Sequence, residues 1–424
     1  MRKFIIVWLG QIISFIGSDL TSFAVGIWIY QKTGSVTQLS LISLFILLPG
    51  IIVAPVAGAL VDRWNRRVCM ILSDCGAMSC SIAIVSLITL DRLEIWHIYL
   101  AVTLSSVFNT FGNLAYTANI SLLVPKQHLG RASGMVQVAD AVAQLVSPLL
   151  AGVLLAIIGL RGIMILDGIT FIVSIIALLS VRFQSAPITE TVNRPLLQQV
   201  VYGWNYIVRR KGLLALLIFF ATSNFVVGIA EILVKPLVLS FTNAAALGTL
   251  LSLASSGLML GSILMSVWGG PKQNRILGIL GFEAILGLCL IVIGLKPSIT
   301  WITAAGFVGF FSVPMINGCS QAIWQVKVAP DVQGRVFAVR RALTLASRPL
   351  AYLVAGALAD KVFEPLMSKN GVLAKTIGLI IGVGKGRGIA LLFIITGVLT
   401  ITSTFIAYQY PRLRQLEKEL PDVI

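Results

Sequence analysis

The chain has 424 residues, of which 57% are hydrophobic and only 11% charged. Soluble domains are about 45–50% apolar and about 25% charged, so a soluble globular enzyme is excluded and a polytopic α-helical membrane protein is expected. The net charge of +16 falls in short basic runs between apolar segments, which is the positive-inside pattern and implies no nucleic-acid partner.

The apolar runs predict twelve membrane spans. The first six are 4–30, 38–61, 68–90, 96–120, 131–158 and 162–181. The run from Phe4 to Tyr30 is too long for the apolar region of a cleavable signal. A polar stretch, 182–212, follows. Within it, Arg194 to Lys211 carries Leu196, Leu197, Val200, Val201, Trp204 and Ile207 at helical spacing. That spacing fits an amphipathic helix at the inner leaflet or a plain linker helix. The last six spans are 213–240, 244–268, 275–295, 300–325, 334–360 and 387–410. Between the final two, Leu373 to Gly384 is too short to cross and is expected to be re-entrant or interfacial. The run GVGKGRG (382–388) lacks the Ser or Thr of a Walker A loop, and no other ATPase motif is present. If the protein transports, an ion gradient rather than ATP is the expected drive, and no bound cofactor is implied.

With the N-terminus inside, the inner segments hold 21 of the 32 lysines and arginines and the outer segments nine. Both termini are thus placed in the cytoplasm, in a multi-pass protein of the plasma (inner) membrane. Five cysteines lie in apolar runs without zinc spacing, and there are two histidines, so no metal site is expected. No nucleophile, base or metal cluster is grouped by a motif, so no enzyme activity is expected either.

Three sequence pairs recur at nearly one offset: Gly58 and Gly261, Gly130-Arg131 and Gly334-Arg335, and Ser147-Pro148-Leu149 and Arg348-Pro349-Leu350. They argue for a duplicated six-helix unit. The expected fold is all-α, with twelve transmembrane helices in two pseudo-symmetric six-helix bundles. The bundles are 1–181 and 213–424, the second ending in a short cytoplasmic tail. Residues 182–212 form a cytoplasmic linker.

Ionisable residues inside spans cost about 2.5–3.5 kcal/mol each on insertion scales, which makes them functional candidates. Asp19 and Arg348 lie midway along spans 1 and 11. They are proton-coupling candidates, expected to approach each other or share a water-filled cavity; a static buried pair is the alternative. Asp140 in span 5 is a third candidate. Asp167 reads as a helix-start acid, Asp74 as a partner of Arg66 and Arg67, and Glu283 as a partner of Arg275. Glu231 and Lys235, one turn apart and followed by Pro236, read as an outer gate or as an intrahelical pair.

The segment Gly58-Ala-Leu-Val-Asp62-Arg63-Trp-Asn-Arg66-Arg67 resembles the loop 2–3 motif of the major facilitator superfamily. TGSVTQLS (33–40), LVPKQHLGRASG (123–134) and APDVQGRVF (329–337) resemble the drug- and macrolide-efflux branch, which also includes siderophore exporters. The resemblance covers essentially the whole chain. It implies an inner gate in which Gly58, Asp62, Arg63, Arg66 and Arg67 face the start of span 11, with Arg335, Arg340 and Arg341. It also implies a cavity lined by spans 1, 4, 7 and 10. The candidates there are Asn109, Asn113 and Tyr116, Asn224, Phe307 and Phe311, and Asn317 and Gln321 with Trp324. Such a lining suits a bulky amphipathic molecule, although interhelical packing accounts for the same residues. The expected function is secondary export of drug-, macrolide- or siderophore-like compounds by alternating access and proton antiport. The expected partners are a small-molecule substrate and membrane lipids, and the protein is expected to be a monomer. The alternatives are a metabolite importer or facilitator and a non-transporting scaffold or receptor.

Overall fold

A computed structural model describes residues 2–124, 129–181, 196–271, 273–329 and 332–419. The side chains of Asp62, Arg63, Arg131 and Asp140 lie outside the described residues, as does the whole 182–195 stretch of the linker. The long helices are α1 (Arg2–Thr33), α2 (Val36–Arg63), α3 (Arg66–Thr89), α4 (Ile95–Leu123), α5 (Leu129–Ser180), α6 (Leu196–Val208), α7 (Lys211–Leu239), α8 (Ala244–Trp268), α9 (Arg275–Leu295), α10 (Ile299–Lys327), α11 (Gln333–Leu358) and α12 (Arg387–Gln409). No strand occurs among the described residues. Among the described residues, eleven helices are long and apolar enough to cross a membrane. One of them, within α5, runs for 47 residues. It breaks at Gly159, whose φ of 64° and ψ of −175° suit glycine alone. The break separates the fifth and sixth predicted spans, which brings the number to the twelve expected.

By internal contacts the chain divides into two units, one of Met1–Glu190 with Asn243–Ser252 and the other of Thr191–Thr242 with Leu253–Ile424. In the first unit, α1 presses its buried face, with Phe4, Val7, Leu20 and Ile27, into the core. Gly10 and Gly17, seven residues apart, let it lie against the second half of α5. A Cβ on Gly10 would stand 2.7 Å from that of Ala177, and one on Gly17 would stand 3.0 Å from Asp167 Oδ1. Close backbone approach of this kind replaces the hydrophobic drive that lipid cannot supply. The loop into α3 is closed by Asn65, whose Oδ1 accepts from the backbone N–H groups of Arg67 (3.0 Å) and Val68 (3.4 Å). That explains the asparagine within the DRWNRR run: it caps the helix that the two arginines begin.

The second unit has a core of Trp324, Leu213, Leu217, Ile276 and Val336. Two segments expected to be peripheral contribute to it. Ile207 of α6 is fully buried, and a Cβ on Gly203 would stand 2.7 Å from the Arg335 carbonyl of α11. The linker helix is therefore docked along one edge, with Tyr202, Trp204 and Val208 left exposed. The tail is also built in. Leu413 and Leu416 are buried, Glu417 accepts from the Ile276 N–H at the start of α9 (3.2 Å), and buried Lys327 donates to the Glu417 carbonyl (2.6 Å).

The stretch 367–386 is a series of turns with one helical turn, Gly378–Ile381. It forms neither a span nor a long re-entrant helix. Met367 and Ile381 pack on Leu391 of α12, while Leu379 and Ile380 stand exposed as an interfacial segment would hold them. Glu364 closes this arrangement. Its two oxygens accept from the N–H groups of Gly386 and Ile389, each at 3.1 Å, and so cap α12 with a negative charge at the positive end of its dipole. Glu364→Ala is expected to lower stability by about 1 kcal/mol, the usual cost of an N-cap loss. Thermal unfolding in detergent would read this as a lower Tm, and an unchanged Tm would assign the capping to water.

Candidate functional site

In the first unit, two arginines of the loop 2–3 motif, Arg66 and Arg67, bind helix ends of the same unit. Arg66 donates to the Ala118 carbonyl at 2.8 Å, near the end of α4. Arg67 donates to the carbonyls of Leu178 (2.9 Å) and Leu179 (2.7 Å), at the end of α5. Helix C-termini leave carbonyls without intrahelical donors and carry partial negative charge, so a guanidinium satisfies both needs. The start of α3 thus fastens the ends of two neighbouring helices. A Cβ on Gly58 would meet nothing within 4 Å among the described residues, so no crowding in this conformation requires the glycine.

The expected ion pairs of this unit are replaced by a different device. Asp74 is not bound to Arg66 or Arg67 by any of these bonds. It accepts from Ser174 Oγ at 2.7 Å, and Ser174 in turn accepts from Gln11 Nε2 at 2.7 Å. Asp167 is not at a helix start; it lies eight residues beyond the Gly159 break, is 3% exposed, and accepts from Ser81 Oγ at 3.1 Å. The two bonds form rungs between antiparallel helices. Asp74 and Ser81 sit seven residues apart on α3, and Asp167 and Ser174 sit seven apart on α5. Each acid meets the other helix's serine. The repeated Asp-x6-Ser spacing is visible in the sequence, although nothing in either segment alone says that they pair.

Asp19 lies on an exposed face of α1. Of the α4 candidates, Asn113 is exposed and Asn109 half-buried, but Tyr116 is a correction. It is 3% exposed and packs edge-on against Phe15, with ring centroids 6.2 Å apart. Its ring completes the core around Val7, Val61 and Met70 and presents no surface to a ligand in this conformation.

In the second unit, Arg348 was expected opposite Asp19. Within its own unit its partner is Glu231 of α7, with Nε 4.0 Å from Oε2 and both side chains nearly half exposed. Lys235, half-buried, follows one turn on from Glu231. Arg340 donates to Gln321 Oε1 (2.9 Å) and Ser320 Oγ (3.2 Å), and its guanidinium lies 5.2 Å from the centre of the Trp324 ring. Trp324 itself is fully buried and belongs to the core rather than to a cavity wall. Arg335 stacks 5.3 Å over Tyr202 of α6, and Arg341 is exposed. Asn224 donates to the Phe220 carbonyl one turn back at 2.7 Å, while Asn317 is exposed. Phe307 and Phe311 are half-buried, and their backbone carbonyls press on Gly257 and Gly261 of α8. Glu283, expected beside Arg275, is instead buried and accepts from Ser223 of α7.

Among the described residues no group of three or more His, Cys, Asp or Glu side chains could hold a metal ion. At one end of the first unit a cavity of about 550 Å³ is lined by Trp28, Lys32, Asp91 and Arg161. Lys32 sits 4.7 Å over the Trp28 ring there, away from the candidate residues.

These elements can be set beside known proteins. Residues 7–352 match the model of the Major Facilitator Superfamily. The chain is 26% identical over 366 residues to macrolide efflux protein A of Streptococcus pyogenes, covering 85% of this chain and 90% of that protein. It is 25% identical over 358 residues to the multidrug efflux pump Tap of Mycolicibacterium fortuitum, covering 81% and 86%. Among solved structures, a bacterial homolog of the human lysosomal transporter Spinster, in an inward-facing and unoccupied conformation, superposes with a TM-score of 0.73 at 16% identity, covering 99% of this chain and 98% of that one. The nucleoside transporter NupG superposes with a TM-score of 0.72 at 10% identity, covering 97% of this chain and all of NupG. Those two likenesses concern the fold. With the family match spanning most of its length, the chain is a multi-pass membrane transporter for a small molecule and belongs to the Major Facilitator Superfamily.

Proposed function

We propose that the protein exports amphipathic organic compounds of drug or macrolide type by alternating access, in exchange for protons. The observation that carries this reading is the 26% identity to a macrolide efflux protein along 85% of the chain. Charged groups held on exposed faces inside spans support it: Asp19 in the first unit, Glu231 and Arg348 in the second. Groups so costly to insert are kept where an ion or substrate pathway uses them. Asp19 is the coupling acid in this reading. Its carboxylate attracts a cationic or protonatable substrate, and a proton displaces that substrate on the outer side. Both termini are cytoplasmic, as the lysine and arginine distribution requires.

The test is accumulation of a fluorescent dye or a radiolabelled macrolide in cells expressing the wild type or Asp19→Asn, with and without a protonophore. Wild-type cells are expected to accumulate several-fold less than empty cells. Both the substitution and the protonophore are expected to remove that difference. Export that survives Asp19→Asn but not the protonophore would move coupling to another group. No difference from empty cells for any compound would sink the export reading.

A further inference from the structure

The two acid–serine rungs of the first unit look alike, but only one is complete. On the Asp74 rung, Gln11 donates to Ser174 and Ser174 donates to Asp74, a continuous chain across α1, α5 and α3. On the Asp167 rung, Ser81 donates to Oδ2, and Oδ1 has no hydrogen-bond partner. Oδ1 stands over Gly17 of α1, and the Ser18 and Thr21 hydroxyls of that helix turn toward the same carboxyl. Thr21 Oγ1 is itself buried without a partner. Two orphaned oxygens therefore lie buried where three helices meet.

The charges around this point are easily surveyed. α1 offers Ser18 and Thr21, α3 offers Ser81, and α5 offers Thr170, whose hydroxyl is already given to the Asp167 carbonyl at 2.7 Å. Asp74, two turns from Ser81 on α3, is bonded to Ser174. Asp19 is on the exposed face of α1. Among the described residues no lysine or arginine is bonded to Asp167. An ionised carboxylate in such a place has only hydroxyl groups turned toward it and no counter-charge bonded to it among the described residues, which is a costly burial.

We propose that Asp167 is a proton-binding site of the first unit, its Oδ1 carrying a proton that it donates to Thr21 Oγ1. One proton removes the buried charge, and a small rotation of the Thr21 side chain satisfies both orphaned atoms. The protonated carboxyl then ties α1 to the α3–α5 pair. Loss of the proton leaves an anion between three helices, which the unit relieves by parting α1 from the other two. Proton binding is thereby linked to the position of the helix that carries Asp19. The site stands whatever the substrate and direction of transport, because it rests on the interior of one unit.

Infrared spectroscopy tests it on the full chain in lipid nanodiscs at neutral pH. The wild-type spectrum is expected to contain a C=O stretch of a protonated carboxyl that shifts on ¹³C-aspartate labelling and disappears in Asp167→Asn. Loss of an ionised-carboxylate band instead would overturn the proposal. Thr21→Val, which keeps the shape of the side chain, carries the test if Asp167→Asn does not fold. Removing the acceptor is expected to move the same band to higher frequency, and a band left in place would refute the donation to Thr21. Neither arm reads export, so failure here and failure of the export reading remain distinguishable.

Discussion

Arg348→Ala is expected to reduce export at least tenfold while leaving expression and Tm nearly unchanged. Glu231→Gln is expected to do the same. The argument is one of magnitudes. At about 4 Å two unit charges attract by about 1 kcal/mol in water and about 4 kcal/mol at the effective dielectric of a protein surface. The pair here is at 4.0 Å and nearly half exposed, so the gain lies toward the lower figure. Placing an arginine or an acid within a span costs about 2.5–3.5 kcal/mol. The attraction does not repay two such insertions, so the pair is not a device for stability. What remains is a role in the transport cycle: an arginine on α11 that holds an acid on α7 in one state and releases it in another. The double variant Glu231→Arg with Arg348→Glu restores the attraction and is expected to recover part of the lost export. Silent single variants would show that the pair is ornamental to transport. A dead exchange beside dead singles would mean that each charge acts on something other than its neighbour.

Most of the architecture was legible because lipid demands long apolar runs. Each predicted span appears as a helix within a few residues of its expected ends, and the amphipathic run after span 6 became α6. The basic motif after span 2 was recognisable too, but its part in this conformation was not. Arg66 and Arg67 bind carbonyls 52, 111 and 112 residues away, and no local pattern announces which helix ends will need donors. The buried acids were misassigned for the same reason. Asp74 and Glu283 read as partners of the nearest basic loop, since charge pairing is the short-range expectation, and Asp167 reads as a helix-start acid. The fold instead joins them to serines 100, 60 and 86 residues distant. A hydroxyl partner brings no second charge to bury, but it leaves the acid's own charge without a counter-ion unless the acid is protonated. Tyr116 and Trp324 failed as cavity candidates for another reason: helical spacing says which residues share a face, not which neighbour that face meets.

The two units also differ in how they use charge. In the first, the helix ends are fastened by Arg66 and Arg67 and the interior by two acid–serine rungs. In the second, the start of α9 is fastened by the tail, through Glu417, Leu413 and Leu416, and the linker helix is docked on α11. The duplicated sequence therefore carries two different sets of fastenings on one plan. Arg335 and Arg340, expected as a single gating group, have separate local partners: Tyr202 for the first, and Gln321, Ser320 and the Trp324 face for the second.

The largest loss of stability is expected at the crossing of α9 and α12. Gly287 and Gly397 back onto each other there. A Cβ on Gly397 would lie 2.6 Å from the Gly287 carbonyl oxygen and 2.8 Å from the Ile291 nitrogen, and one on Gly287 would lie 3.0 Å from the Gly397 carbonyl oxygen. The Ile291 and Ile401 side chains that also crowd these positions, at 2.6 and 2.8 Å, can rotate aside, but the backbone atoms cannot. Seven residues along each helix, Gly294 meets Ala390 in the same manner. The seam is thus small along its whole length, and dispersion across it is what holds the helices together in lipid. Gly397→Val forces the helices apart, at an overpacking cost of about 1–3 kcal/mol or more, and the contacts beyond the crossing open with it. Gly281→Ala on α9 is the control, since a Cβ there meets nothing within 4 Å among the described residues. That change only improves helix propensity and is expected to be neutral or to stabilise by up to about 1 kcal/mol. Thermal unfolding of both variants in one detergent separates the effects: a drop of several degrees for Gly397→Val, or failure to recover monodisperse protein, against no drop for Gly281→Ala. Equal Tm values would mean that the α9–α12 seam yields without cost, and that stability of the second unit lies instead in the core around Trp324.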